Sequence, residues 1–258
     1  MVSVQLLLVS DEMKAFAIIL LCAFAAVQGR SAGVQSTKSA AALGENPWLV
    51  HLRIAVSTSG LLNTCAGSLI DQRWVLTSAS CLSDARFIWI RYGVVDVISP
   101  SLVTESSAVR VHPEYNAATG ENDIALISIN RAVHSVDNVA PIGLAQSSDI
   151  PSSGRFCGFG EDDSAPGETL SCFGVSLSEE DGKLSASSDA GEVSEFDIGA
   201  AVVNDGVQIA VVVGASSDNG ARLMPVNSYV RWIEETANIS LSPEAVPEPE
   251  DNPVIFVN

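Results

Sequence analysis

The chain has 258 residues, 47% of them hydrophobic, enough to bury a sizeable core and unlike the composition of a disordered protein. It carries 31 acidic against 13 basic residues, a formal net charge of −18, which opposes association with nucleic acid or anionic membranes and promotes solubility. Partners with basic faces stay open.

Near the amino terminus, "MKAFAIILLCAFAAVQG" puts Lys14 before an apolar run over residues 15–27 and then the small residue Gly29. That is the layout of a secretory signal peptide with cleavage near Gly29, and the run is too short for a membrane span. Asp11 and Glu12 spoil the basic region that such a leader needs, so translation from Met13 gives the cleaner signal. Residues 1–29 are therefore read as a leader and the product as secreted and extracellular. Once Cys22 leaves with the leader, Cys65, Cys81, Cys157 and Cys172 remain, an even set with no CxxC pair. In an oxidising compartment this favours disulfides over metal ligation, and no metal site or cofactor is expected.

Residues 30–240 read as the folded domain. Short runs rich in Val, Ile and Leu follow one another: "WLVHLRIAV", "AGSLI", "WVLTS", "RFIWIRYGVVDVI", "DIALISI", "GAAVV" and "VQIAVVVGA". Gly, Ser, Asn and Asp separate them, which points to an all-β sandwich or barrel. Helical periodicity is clear once, over 226–238, where Val226, Tyr229, Val230 and Ile233 share a face; a terminal helix packed on a barrel is expected. Just beyond it, Asn238-Ile239-Ser240 is a sequon for N-glycosylation. Residues 241–258, "LSPEAVPEPEDNPVIFVN", hold four prolines and four acids and read as an extended tail. There is no internal repeat.

Six segments in order resemble the trypsin/chymotrypsin-like serine peptidase family. "ENPWLVHL" resembles its first strand and "CAGSLIDQRWVLTSASC" its CGGSLI…WVLTAAHC segment; "VHPEYNAATGENDIALISI" resembles HPxYN…NDIALL. "CGFG" resembles GWG, "FDIGAAVV" resembles GDSGGPLV, and "VNSYVRWI" resembles the terminal-helix VxxYxxWI. The resemblance runs over about residues 44–236 and implies two antiparallel six-stranded β-barrels, trypsin-like, with a C-terminal α-helix and an active site between the barrels. It also implies a Cys65–Cys81 disulfide. Cys157 and Cys172 flank "GFGEDDSAPGETLS", which resembles a hairpin loop, so a cross-strand disulfide and two free thiols are both open; a bridge would contribute ~3 kcal/mol.

Carried over residue by residue, the family's chemistry is missing. Acyl transfer here needs a hydroxyl nucleophile, an imidazole that takes and returns its proton, and a carboxylate that holds the imidazole. Asp123 matches the carboxylate. Ser80 stands at the imidazole position, and its hydroxyl is far too weak a base near neutral pH. Ile198 stands at the nucleophile position and has no attacking atom. Phe196 aligns with the glycine that supplies an oxyanion-hole N–H. Losing either nucleophile or histidine costs on the order of 10⁶ in turnover.

His51, His112 and His134 fall at structural or surface positions. Asp123, if buried, needs donors, and the Ser80 hydroxyl or a bridging water is expected to supply one. The region "QSTKSAAALGENPW" lacks the IVGG-like motif at which the family is activated, which leaves Asp197 without an amino terminus to pair with. Ser194 stands where a family cysteine would be, and Glu192 falls near the base of the primary specificity pocket. The resemblance therefore implies a secreted, catalytically inactive homologue that binds a protein partner, a peptidase, inhibitor or substrate, through loops around the old cleft. An active serine endopeptidase and a structural secreted glycoprotein are the alternatives.

Overall fold

The computed structural model describes residues 37–56, 60–216 and 220–241; the expected leader and the tail beyond Leu241 lie outside them. After β1 (Ser39–Ala40), seven strands form one antiparallel sheet: β2 (Leu49–Val56), β3 (Leu61–Asp71), β4 (Trp74–Thr77), β5 (Ala85–Tyr92), β6 (Leu102–Ser106), β7 (Val109–Val111) and β8 (Ala125–Ser128). Their order is β6-β5-β2-β3-β4-β8-β7. Alternation builds it: Val50, Leu52 and Ile54 of β2 and Ile88, Ile90 and Tyr92 of β5 are fully buried on the inner face. The Tyr92 hydroxyl is satisfied there at 2.9 Å from Thr104 Oγ1.

The second half comprises β9 (Gly143–Leu144), β10 (Ser153–Gly158), β11 (Glu161–Asp162), β12 (Ala165–Pro166), β13 (Ser171–Glu180), β14 (Lys183–Ser187), β15 (Ala201–Asn204), β16 (Val207–Ser216) and β17 (Gly220–Pro225). The order β13-β10-β15-β16-β17-β14 closes on itself because β14 also pairs with β13. β1 adds to β13, β9 runs parallel to the start of β16, and β11 and β12 form a small hairpin of their own.

The fold is thus mostly β, as expected, with one departure. The second barrel has its six strands, whereas the first is a half-barrel of seven that stays open between β6 and β7. Ser107 and Ala108 connect these two edge strands, which do not pair with each other. Side chains bridge the edges instead: Ser106 Oγ donates to the Ser128 carbonyl at 2.6 Å and Asn130 Nδ2 to the Glu105 carbonyl at 3.2 Å.

The terminal helix α1 (Val230–Ala237) follows a 3₁₀ turn over Val226–Tyr229, so the single periodic stretch divides into two helical forms. Val226 and Ile233 are fully buried, while Tyr229 and Val230 are half-buried. Asn238 ends α1 in the left-handed conformation, its N–H bonded to the Glu234 carbonyl, a common helix stop. One apolar cluster joins both sheets and the helix: Ile70, Leu76 and Leu126 from the first, Leu144 and Val211 from the second, and Ile233 from α1.

Candidate functional site in the cleft between the sheets

β4 delivers the chain into a 3₁₀ turn at Ser80–Leu82, and the Cys65–Cys81 disulfide ties that turn to β3. Behind the turn lies Asp123, 3% exposed, at the end of the loop leading into β8. One oxygen of its carboxylate, Oδ1, accepts from Ser78 Oγ at 2.6 Å and from the Ser80 backbone N–H at 2.7 Å. The Ser80 hydroxyl does not reach Asp123. It lies 2.6 Å from Ser78 Oγ. Because the single Ser78 proton goes to the carboxylate, Ser80 is the donor in that contact, and its proton is directed inward.

The expected donor is therefore corrected: Ser78 supplies the side-chain hydrogen bond to Asp123, and Ser80 a backbone rather than a side-chain bond. Sequence reasoning passed over Ser78, although it stands where the resembled WVLTAAHC pattern has alanine, which was the available signal.

On the other wall, a short 3₁₀ turn at Glu195–Asp197 carries Phe196 and leads to Ile198. Ser194 and Asp197 form a reciprocal capping box. Within it, the Phe196 N–H donates to Ser194 Oγ at 3.1 Å, so this amide is already engaged. Asp197 is completely buried and its carboxylate accepts from the N–H groups of Phe159 (2.8 Å), Gly160 (3.0 Å) and Ser194 (3.1 Å). Burial pushes its pKa up against those bonds. Among the described residues no cation pairs with it. Three amides supply what an amino terminus supplies elsewhere. The cradle requires Gly158, since a Cβ there would lie 2.4 Å from Asp197 Oδ1. Next, Gly199 takes φ +91° and its Cβ would lie 2.1 Å from the Ala66 carbonyl oxygen, so the turn sits directly on β3.

Ser80, Asp123 and Ile198 line one open cleft of about 330 Å³ with Tyr115, Glu195 and Arg222. No histidine lines it. His51 is buried against Phe159, ring centroids 5.1 Å apart, and desolvation, with Arg91 and Arg53 adding to it, lowers its pKa to about 4. His112 packs on Tyr229 and Trp232, and its Nδ1 accepts the Glu114 N–H at 3.2 Å. His134 is exposed. Glu192 is exposed too and belongs to a neighbouring acidic depression with Glu161, Asp163 and Glu195, away from Ile198. Cys157 and Cys172 face each other across β10 and β13 and form the second disulfide.

The Trypsin family profile matches residues 36–233. The chain belongs to the trypsin family. Trypsin II-P29 of Gallus gallus is 39% identical over 95 residues, covering 36% of this chain and 38% of that protein. Serine protease 28 of Mus musculus is 28% identical over 110 residues, covering 41% and 40%. The chain thus spans about two fifths of the length of these curated relatives. Over the whole fold, the HL collagenase structure superposes with a TM-score of 0.71 at 23% identity, covering 80% of this chain and 99% of that one. The trypsin-family chain therefore has the trypsin-like serine protease fold with two disulfides. Among its described residues no helix is long and apolar enough to cross a membrane.

Proposed function

We propose that this trypsin-family chain is a secreted, catalytically silent homologue that works by binding another protein. The observation that carries the reading is the cleft itself: no imidazole lines it beside Asp123, and Ile198, at the nucleophile position, has no attacking atom. Asp123, read as the family carboxylate, spends its Oδ1 on Ser78 and on the Ser80 N–H. Phe196, read as an oxyanion-hole position, has its N–H committed to Ser194. Each feature removes a separate requirement of acyl transfer: base, nucleophile and anion stabilisation. The leader-like residues 1–29 and the two disulfides support secretion. Asn238, exposed just past α1, is a glycosylation site in this reading.

The rival reading is an active serine endopeptidase, favoured by relatives that are named as trypsin and serine protease. A fluorophosphonate serine probe separates the two. The mature protein is expected to stay unlabelled beside a trypsin control that labels fully. Stoichiometric labelling at one mapped serine, with the fold intact, would make the protein an enzyme.

A further inference from the structure

The charge is unevenly distributed. Residues 143–225 hold fourteen Asp and Glu against three Lys and Arg, whereas residues 49–131 hold seven against six. The basic residues that an acidic partner could use are concentrated in the first half-barrel, and the strand register shows where some of them lie.

Across β3, β2, β5 and β6, the outer face reads in rows: Leu62-Ala55-Phe87, then Thr64-Arg53-Trp89-Glu105, then Ala66-His51-Arg91-Val103. The second half closes only the last row's near end, where Phe159 covers His51 and Ala66 is buried. The remainder is open. Leu62 is 44% and Val103 40% exposed, and Phe87 and Trp89 are half-buried edge-to-face with centroids 4.8 Å apart. Arg53 stands opposite Trp89 in its own row and Arg91 in the next, and neither forms an ion pair with a described residue. Glu105 is the one carboxylate in the three rows.

An aromatic pair beside arginines that form no ion pair with a described residue has the composition of an interface centre. On a chain of net charge −18, two half-buried arginines that form no ion pair with a described residue suit a partner that brings carboxylates. We propose that this face docks an acidic polypeptide segment bearing apolar side chains, its carboxylates on Arg53 and Arg91 and its apolar groups over Phe87, Trp89 and Val103. Arg53, Phe87, Trp89, Arg91 and Val103 do not line the depressions around Ser80 and Ile198, and the proposal does not depend on the cleft being silent.

The probe is a glutamate–tyrosine random copolymer, titrated onto the full chain, with polyglutamate and heparin alongside. The copolymer is expected to bind at least about tenfold more tightly than polyglutamate. The double substitution Arg53→Glu, Arg91→Glu and the single Trp89→Ala are each expected to weaken it at least about tenfold, with unchanged circular dichroism. Should Trp89→Ala fail to fold, Val103→Glu at the exposed edge takes its place. Absence of copolymer binding overturns the proposal, as does binding that ignores these substitutions. Heparin binding as tightly as the copolymer would assign the face to an anionic glycan. Self-association abolished by the same substitutions would assign it to a second copy, and a gain in copolymer affinity on removing residues 242–258 would assign it to the chain's own tail; each of these also overturns the proposal.

Discussion

Ser78 holds the buried carboxylate more directly than Ser80 does. Among the described residues, Ser78→Ala removes the side-chain donor to Asp123 and leaves a carboxylate that is 3% exposed with one backbone bond. An unsatisfied buried acceptor of this kind costs about 1–3 kcal/mol, read from the shift of the urea midpoint. Ser80→Ala removes a hydroxyl that touches only Ser78 Oγ and is expected to cost about 1 kcal/mol or less. Equal losses from the two would show that the proton order assigned here is wrong.

His51 makes the complementary case in acid. Its folded pKa of about 4 lies below the ordinary imidazole value of about 6.5, so between these values the unfolded chain binds a proton that the folded chain refuses. The stability contribution is fully present above pH ~6.5 and is lost as pH falls toward 4, by roughly 3 kcal/mol at most. His51→Leu should flatten that part of the profile in a series of urea titrations from pH 7 to 4.

At the scale of elements, the two disulfides and the Ser194–Asp197 turn set what the cleft can do. Cys157–Cys172 joins neighbouring strands of the closed barrel over a separation of 15 residues, so replacing both cysteines by alanine should cost about 3 kcal/mol by denaturant unfolding. The turn makes a functional prediction. Introducing Ser80→His and Ile198→Ser restores a base and a nucleophile, but the Phe196 N–H remains bonded to Ser194 Oγ. Fluorophosphonate labelling of that double variant is expected to stay at least about 100-fold slower than that of trypsin, the range that loss of one oxyanion donor costs. Adding Phe196→Gly and Ser194→Ala should raise it; labelling at the trypsin rate without them would show that the amide is not the obstacle.

Across the whole molecule, the cluster of Ile70, Leu126, Leu144, Val211 and Ile233 is shared by the half-barrel, the closed barrel and α1. Neither half can expose its share without exposing part of the other's. The two should unfold together, giving one transition by both circular dichroism and tryptophan fluorescence. Removing Cys157–Cys172 should move both signals by the same amount. Separate midpoints would show that the halves are independent.

Much of this was legible in the sequence because strand formation and pairing depend on local alternation and turn residues. The alternation of Val50, Leu52 and Ile54, the cysteine spacing and the ordered family segments pointed to paired barrels, a terminal helix and a Cys65–Cys81 bridge before any coordinates. They also placed Ser80, Asp123 and Ile198 around one cleft. Three things needed the tertiary structure, because each depends on groups distant in sequence. The donor to Asp123 proved to be Ser78, since side-chain length and position decide which hydroxyl fills a gap. Asp197 found its partners in amides of a loop some 37 residues away, which residue type could not reveal. The first sheet stayed open between β6 and β7, which pair with β5 and β8 and not with each other. Periodicity along a chain says which face of a strand is buried; only the packed molecule decides which polar groups meet there.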